Sequence, residues 1–334
     1  MERVELSKNR IGEFLGCLKS SCRVVAPVKN DGLLEFKEIE SPDQVQLTDE
    51  LPYKSPKEYL FPQVEKILSF SPDGEARNES KPRKTVIFGV KPCDLEALRV
   101  LTTVFTKGDY VDTIYKGHLD NTVFIGMGCA GEKPGCFCGE RGIDRNSSTQ
   151  CDIFLEDRGD CYLAAVITPA GRSVMDGFMP GAGGQGTGLI ENMAGAAQAV
   201  DNKLLELDMD ENEIFNIAVW DTASETCLGC GACTYICPTC HCFGFRDTTA
   251  KGEANRYRCW DSCMYPKFTL HASGHNPRPT RKERFRQRVM HKYVYIRRNF
   301  GLTACTGCGR CVRSCPAGIN IRSVVKSIKQ EVLK

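Results

Sequence analysis

The chain has 334 residues, of which 41% are hydrophobic and 26% charged, with a formal net charge of +2 and 20 cysteines. That length suits about two domains of ordinary size, and a balance so near neutrality names no partner. Residues 1–10 alternate charges and no segment approaches the roughly 20 apolar residues of a bilayer span, so we expect a cytoplasmic protein, neither secreted nor membrane-bound, whose thiols are metal ligands rather than a disulfide framework.

Taken in chain order, Lys8 to Leu18 reads as a helix, and Arg23 to Val28 and Leu33 to Lys37 as short strands. Thr85 to Val90 is a β-branched run leading into Lys91-Pro92-Cys93-Asp94, after which Leu95, Leu98, Val100, Leu101 and Phe105 fit a helix with Asp94 as its cap. Thr122 to Met127 is another strand, ending at Gly128-Cys129, and Cys161 to Thr168 a further one. These elements predict a mixed α/β domain over residues 1–215. Gly181 to Gly186 formally matches G-x-G-x-x-G, but Pro180 precedes it and no strand leads in, so it reads as a loop before a helix near Leu189 to Leu207 rather than a nucleotide site.

The remainder is governed by two copies of one cysteine phrase. Cys227, Cys230, Cys233 and Cys237 precede Pro238; Cys305, Cys308, Cys311 and Cys315 precede Pro316. Each copy reads C-x2-C-x2-C-x3-C-P, the bacterial-ferredoxin spacing for a cubane cluster. Because the fourth cysteine of such a run ligates the other cluster, we expect Cys227, Cys230, Cys233 and Cys315 to hold one 4Fe-4S cluster, and Cys305, Cys308, Cys311 and Cys237 the second. Gly229, Gly231, Gly307 and Gly309 supply small residues where backbone wraps such a core.

Between the copies, Arg278 to Arg298 holds nine lysines and arginines against one acid, Glu283. Thr280 with Glu283 makes a capping box, and Phe285, Val289, Tyr293, Ile296 and Phe300 an apolar stripe stopped at Gly301, which predicts an amphipathic helix. Its charges suit balancing anionic clusters or docking an acidic partner better than nucleic acid. Ile321, Val324, Val325, Ile328 and Val332 form a last helical stripe, so residues 216–334 are expected to be an all-α, two-cluster ferredoxin-like domain.

Two further cysteine groups are candidates for an additional metal site, a third iron-sulfur cluster or zinc. Cys240, Cys242, Cys259 and Cys263 could close a tetrathiolate set, and Cys93, Cys129, Cys136 and Cys138 gather on loops past predicted strand ends; a bridge between the groups is the alternative. Cys17, Cys22, Cys151 and Cys161 read as small buried hydrophobes, and His241, His271 and His275 as structural rather than proton-relaying residues. Passing single electrons between clusters needs no acid-base dyad or nucleophile, so we expect no catalysis by the chain alone; a zinc-stapled scaffold is the reading from another class.

Several stretches outside the cluster phrases carry a family resemblance: Ser55-Pro56-Lys57-Glu58-Tyr59-Leu60-Phe61-Pro62, Pro92-Cys93-Asp94, Cys136-Phe137-Cys138, Cys237 to Phe243, and Leu270 to Pro279. On these the chain resembles the beta subunit of cytoplasmic sulfhydrogenases and, less closely, the iron-sulfur subunit of anaerobic sulfite reductase. The resemblance implies an iron-sulfur electron-transfer subunit of an anaerobic oxidoreductase, placed between a flavin subunit that handles NAD(P)H and a hydrogenase-like or heterodisulfide-reductase-like partner. A siroheme protein would be the partner on the sulfite reductase reading.

Overall fold

The computed structural model describes residues 2–179, 205–207, 209–250 and 252–333. The expected glycine-rich loop at 181–186 and most of the expected helix at 189–207 lie outside the described residues. Eleven strands are described: β1 (Glu2–Ser7), β2 (Arg23–Asn30), β3 (Leu33–Glu38), β4 (Val64–Phe70), β5 (Ala76–Asn78), β6 (Thr85–Val90), β7 (Thr122–Met127), β8 (Ile153–Asp157), β9 (Cys161–Val166), β10 (Phe243–Ala250) and β11 (Glu253–Trp260). The helices that concern the site are α1 (Ile11–Ser21), α2 (Pro92–Thr106), α3 (Thr113–Asp120), α4 (Pro169–Phe178), α5 (Glu211–Asn216), α6 (Val219–Glu225), α7 (Ala232–Tyr235), α8 (Arg281–Met290), α9 (Ile296–Phe300), α10 (Arg310–Arg313) and α11 (Ile321–Val332).

Seven strands form a mixed sheet in the order β1-β9-β8-β7-β6-β2-β3. Its centre, β2-β6-β7-β8, is parallel, and the edges are antiparallel. β6 is buried at every position, which is why its sequence is a continuous apolar run instead of an alternation. One face is covered by α1 and α4, where Phe14, Leu15, Leu18 and Met175 pack on Val24, Phe88, Ile125 and Leu155. The other takes Leu95, Leu98, Leu101 and Phe105 of α2 and Tyr115 of α3 against Ile87, Phe124 and Phe154. A second core gathers Trp220, Phe285, Val289, Tyr293, Val325 and Ile328 from the later helices, and Phe137 from the earlier part of the chain inserts into it.

The expectation of an all-α second part is corrected by β10 and β11. They pair antiparallel with each other, and β11 pairs in turn with β4, giving a four-stranded sheet in the order β10-β11-β4-β5 drawn from both halves of the chain. An isolated hairpin is marginal in water, so strands here depend on a neighbour far upstream that local periodicity does not reveal. The seam is closed by Arg258, 2% exposed, which donates to Glu65 Oε2 at 2.9 Å and to Asp112 Oδ2 at 2.7 Å.

The capping role expected of Asp94 is also corrected. Lys91 occupies the cap position of α2 without a capping bond, its Nζ donating instead to Gly128 O at 2.9 Å, and Asp94 is wholly buried, taking two hydrogen bonds from Arg310 of α10. The capping box at Thr280 and Glu283, and the Gly301 stop in the left-handed region, form as expected. One π turn, His291–Tyr295, interrupts the helix between α8 and α9.

Candidate functional site

The two cysteine phrases fold alike. Cys227 follows α6, Gly229 and Gly231 take positive φ, and the short helix α7 leads to Cys237; Gly307 and Gly309 repeat this before α10 and Cys315. The second copy is pressed against the loop 133–141. Phe137 N–H donates to Gly307 O at 2.7 Å, and Arg141 Nε to Cys305 O at 3.2 Å. A Cβ on Gly307 would stand 2.7 Å from the Phe137 carbonyl, and one on Gly309 2.5 Å from that of Gly135. Only glycine allows this close approach in this backbone conformation.

Two cavities lie at the loops. The first is lined by Cys227, Cys230, Cys233 and Cys315. The second is lined by Cys237, Cys305, Cys308 and Cys311. Each thus takes three cysteines of one phrase and the fourth of the other, with Cys311 and Arg288 reaching both. Apolar Met264, Phe285 and Ile319 complete the first wall, and Phe137 and Ile321 stand at the second. Backbone donors point at sulfur: Gly229 N–H lies 3.4 Å from Cys227 Sγ and Ile319 N–H 3.3 Å from Cys315 Sγ. A soft, four-thiolate set in an apolar cradle with amides aimed at sulfur fits an iron-sulfur cluster.

The first cavity reaches the surface, where Cys230 is exposed and Leu228 is 67% exposed. The second lies under the loop 133–141, with Cys237 and Cys308 buried. Burial pushes the Cys308 thiol up to about 12 and that of Cys311 to about 11, against the opposing charges of Arg310 and Arg288. Such thiols deprotonate when a metal supplies the positive charge that the interior withholds.

A family model described as a 4Fe-4S dicluster domain matches residues 226–319. Over 343 aligned positions covering 100% of both chains, the protein is 31% identical to the sulfhydrogenase 2 subunit beta of Pyrococcus furiosus. It belongs to the sulfhydrogenase beta-subunit family. No solved structure matches it. Family and matched domain together make this chain an iron-sulfur electron-transfer protein, and among the described residues no helix is long and apolar enough to cross a membrane.

In this sulfhydrogenase beta-family chain the additional cysteines fall into two places. Cys93, at the start of α2, is buried beside Cys138 and Cys308. Burial, then Cys136, Glu132 and Cys129, push the Cys138 thiol up to about 11. Arg313 Nη1 reaches Cys136 Sγ at 3.7 Å, and Cys136 Sγ lies 3.3 Å from Cys308 O. In the other group, the neighbouring Cys240 thiol holds Cys237 well below its ordinary value, and the Cys263 thiol draws Cys242 down to about 7. Cys259 sits in mid-sheet, paired with Gly244 and Val64. Among the described residues no three Cys, His, Asp or Glu side chains close on one point as a single-ion site requires.

His241 and His291 are neighbours, with ring centroids 5.3 Å apart, and burial lowers them to about 4 and about 3, so both are neutral near pH 7. His271 and His275 are exposed. Reading the sequence assigned the charges of residues 278–298 to balancing anionic clusters or docking a partner without singling out which turn inward, and it missed Lys57; Arg288, Lys292 and Lys57 are the buried cations beside the cavities. The signal was present for two of them: Arg284, Arg288 and Lys292 recur every four residues and so share one helix face.

Proposed function

We propose that this chain is the iron-sulfur electron-transfer subunit of a cytoplasmic, anaerobic multisubunit oxidoreductase. On this reading it relays single electrons between a flavin subunit that handles NAD(P)H and a hydrogenase-like or heterodisulfide-reductase-like partner, without catalysis of its own. The observation that carries it is the pair of cavities, each bounded by three cysteines of one phrase and the fourth of the other. Cys227, Cys230, Cys233 and Cys315 hold one 4Fe-4S cluster, and Cys305, Cys308, Cys311 and Cys237 the other. When bound, these groups supply one-electron redox chemistry. The chain's own residues fix them: glycines let the backbone close over them, amides donate to the sulfurs, and Phe137, Phe285 and Ile321 exclude water.

The division expected near residue 215 gives each half a part: residues 216–334 carry the two clusters, and residues 1–215 cover the second of them through the loop 133–141. We also propose that an additional centre, iron-sulfur or zinc, draws on Cys93, Cys129, Cys136 and Cys138, because Cys136 and Cys138 lie on that loop and Cys93 of α2 is buried beside Cys138 and Cys308. Anaerobic purification of the native complex tests all of this, with iron and sulfide counted per subunit and paramagnetic signals recorded after reduction. About eight irons support the two cubanes alone, and about twelve support a third cluster. Colourless protein with no signal refutes the reading, and a siroheme protein as companion moves the assignment to the sulfite reductase branch.

A further inference from the structure

Buried cations in this molecule differ in what they face. Arg310 meets Asp94, and Arg258 meets Glu65 and Asp112, whereas among the described residues Arg284 and Lys91 are held by backbone carbonyls alone. The cations beside the two cysteine cavities also lack a carboxylate, and they stand next to thiols. Arg288, Lys292 and Lys57 are 5%, 3% and 3% exposed, and among the described residues none forms an ion pair with a carboxylate. Lys57 Nζ donates to the carbonyls of Cys237 and Cys240, at 2.8 and 2.9 Å. Lys292 Nζ donates to Thr239 Oγ1 at 2.8 Å and Ala304 O at 3.4 Å. Arg288 Nη2 donates to Cys233 O at 3.3 Å, and its buried Nε has no hydrogen-bond partner.

A buried charge is costly without an opposite charge, and the groups that can carry one next to Arg288 and Lys292 are the cysteines lining the cavities. Arg288 lines both, whereas Lys292 lines only the second. Four thiolates give each site net negative charge, and reduction adds one more electron. A fixed cation at the wall therefore favours the reduced state.

Resting on the two-cluster reading above, we propose that Arg288 is a counter-ion shared by both sites and Lys292 a counter-ion of the second alone, together raising their reduction potentials. The shared position makes Arg288 the residue that keeps the two potentials in step. It lies on the same helix face as Lys292, one four-residue step earlier, and the π turn at 291–295 carries Lys292 toward Thr239.

The test is an anaerobic redox titration of the native complex, followed by electron paramagnetic resonance, with iron counted on every sample. Arg288→Gln is expected to lower both midpoints, each by about tenfold in the reduction equilibrium, or about 59 mV for one electron, while Arg288→Lys restores most of the shift. Lys292→Gln is expected to lower only the signal that Cys305→Ser abolishes. Variants that keep their iron with unchanged midpoints overturn the proposal. If Arg288→Gln fails to load iron, Lys292→Gln decides: no shift, or an equal shift at both sites, overturns it. Wild-type protein without iron or signal overturns the two-cluster reading instead.

Discussion

Asp94→Asn should be among the most damaging single changes in this protein. The Asp94 carboxylate is wholly buried and takes hydrogen bonds from Arg310 Nη1 at 2.5 Å and Nη2 at 2.8 Å, while Arg310 Nε donates to Pro52 O at 3.0 Å. Burial works against the guanidinium charge, and Asp94 with the Cys308 thiol outweighs it, so Arg310 stays protonated. Neutralising the acid leaves that cation with no carboxylate in a space closed to water. Removing one partner of a buried pair costs about 3–5 kcal/mol, which is two to three and a half decades in the folding equilibrium at about 1.4 kcal/mol per decade. The pair also joins α2 to α10, so its loss should loosen the second cysteine phrase from the sheet. Replacing both groups with apolar side chains of similar volume, Asp94→Leu with Arg310→Met, removes the stranded charge and should recover most of the stability. Denaturant unfolding of anaerobically prepared protein, run as a double-mutant cycle, measures both effects. If Asp94→Asn stayed within about 1 kcal/mol of the parent, typical of exposed pairs, the pair would not be buried as described.

Cys315→Ser should abolish the same spectroscopic signal as Cys227→Ser, and Cys237→Ser the same signal as Cys305→Ser; a match within each phrase instead would refute the crossed assignment. Gly309→Ala combines a left-handed backbone, costing about 1–2 kcal/mol for a residue with a Cβ, with a clash 2.5 Å from Gly135, worth roughly 1–3 kcal/mol more. Gly32→Ala, at φ +80° with no neighbour within 4 Å of its Cβ, should bear only the first cost, so equal melting shifts in the two variants would refute the close approach. Burial would raise the pKa of Glu65, but the bonds and charges of His118 and Arg258 outweigh it and hold it below 4.5. Its contribution to stability is therefore complete above the ordinary carboxylate value and lost as pH falls through the lowered one. Glu65→Gln should flatten the acid limb of stability against pH, and an unchanged limb would show that the bridge to Arg258 does not govern it.

Legibility in the sequence followed the range of the interactions. β6, β7 and α11 form at the limits their apolar patterns predict, and the box at Thr280 and Glu283 forms because its partners are three residues apart. β4 and β11 were not legible, since their ladder joins residues 64–70 to residues 254–259, and pairing across such a separation leaves no periodic trace; β10 forms as the hairpin partner of β11. Asp94 sits where a helix cap is common, and only the approach of Arg310, 216 residues later, turns it to an ion pair.

The same division holds for the site. Cysteine spacing alone points to soft metal centres, because each phrase brings three thiolates together within one short loop. Tertiary structure decided the rest: that Cys315 and Cys237 stand at opposite cavities, that the loop 133–141 roofs the second, and that Arg288 and Lys292 face inward without a carboxylate. These are relations between segments far apart in the chain, set by how two hydrophobic cores and a shared sheet pack together. A linear pattern records which charges a helix carries; the neighbours that the fold brings decide which of them meet water.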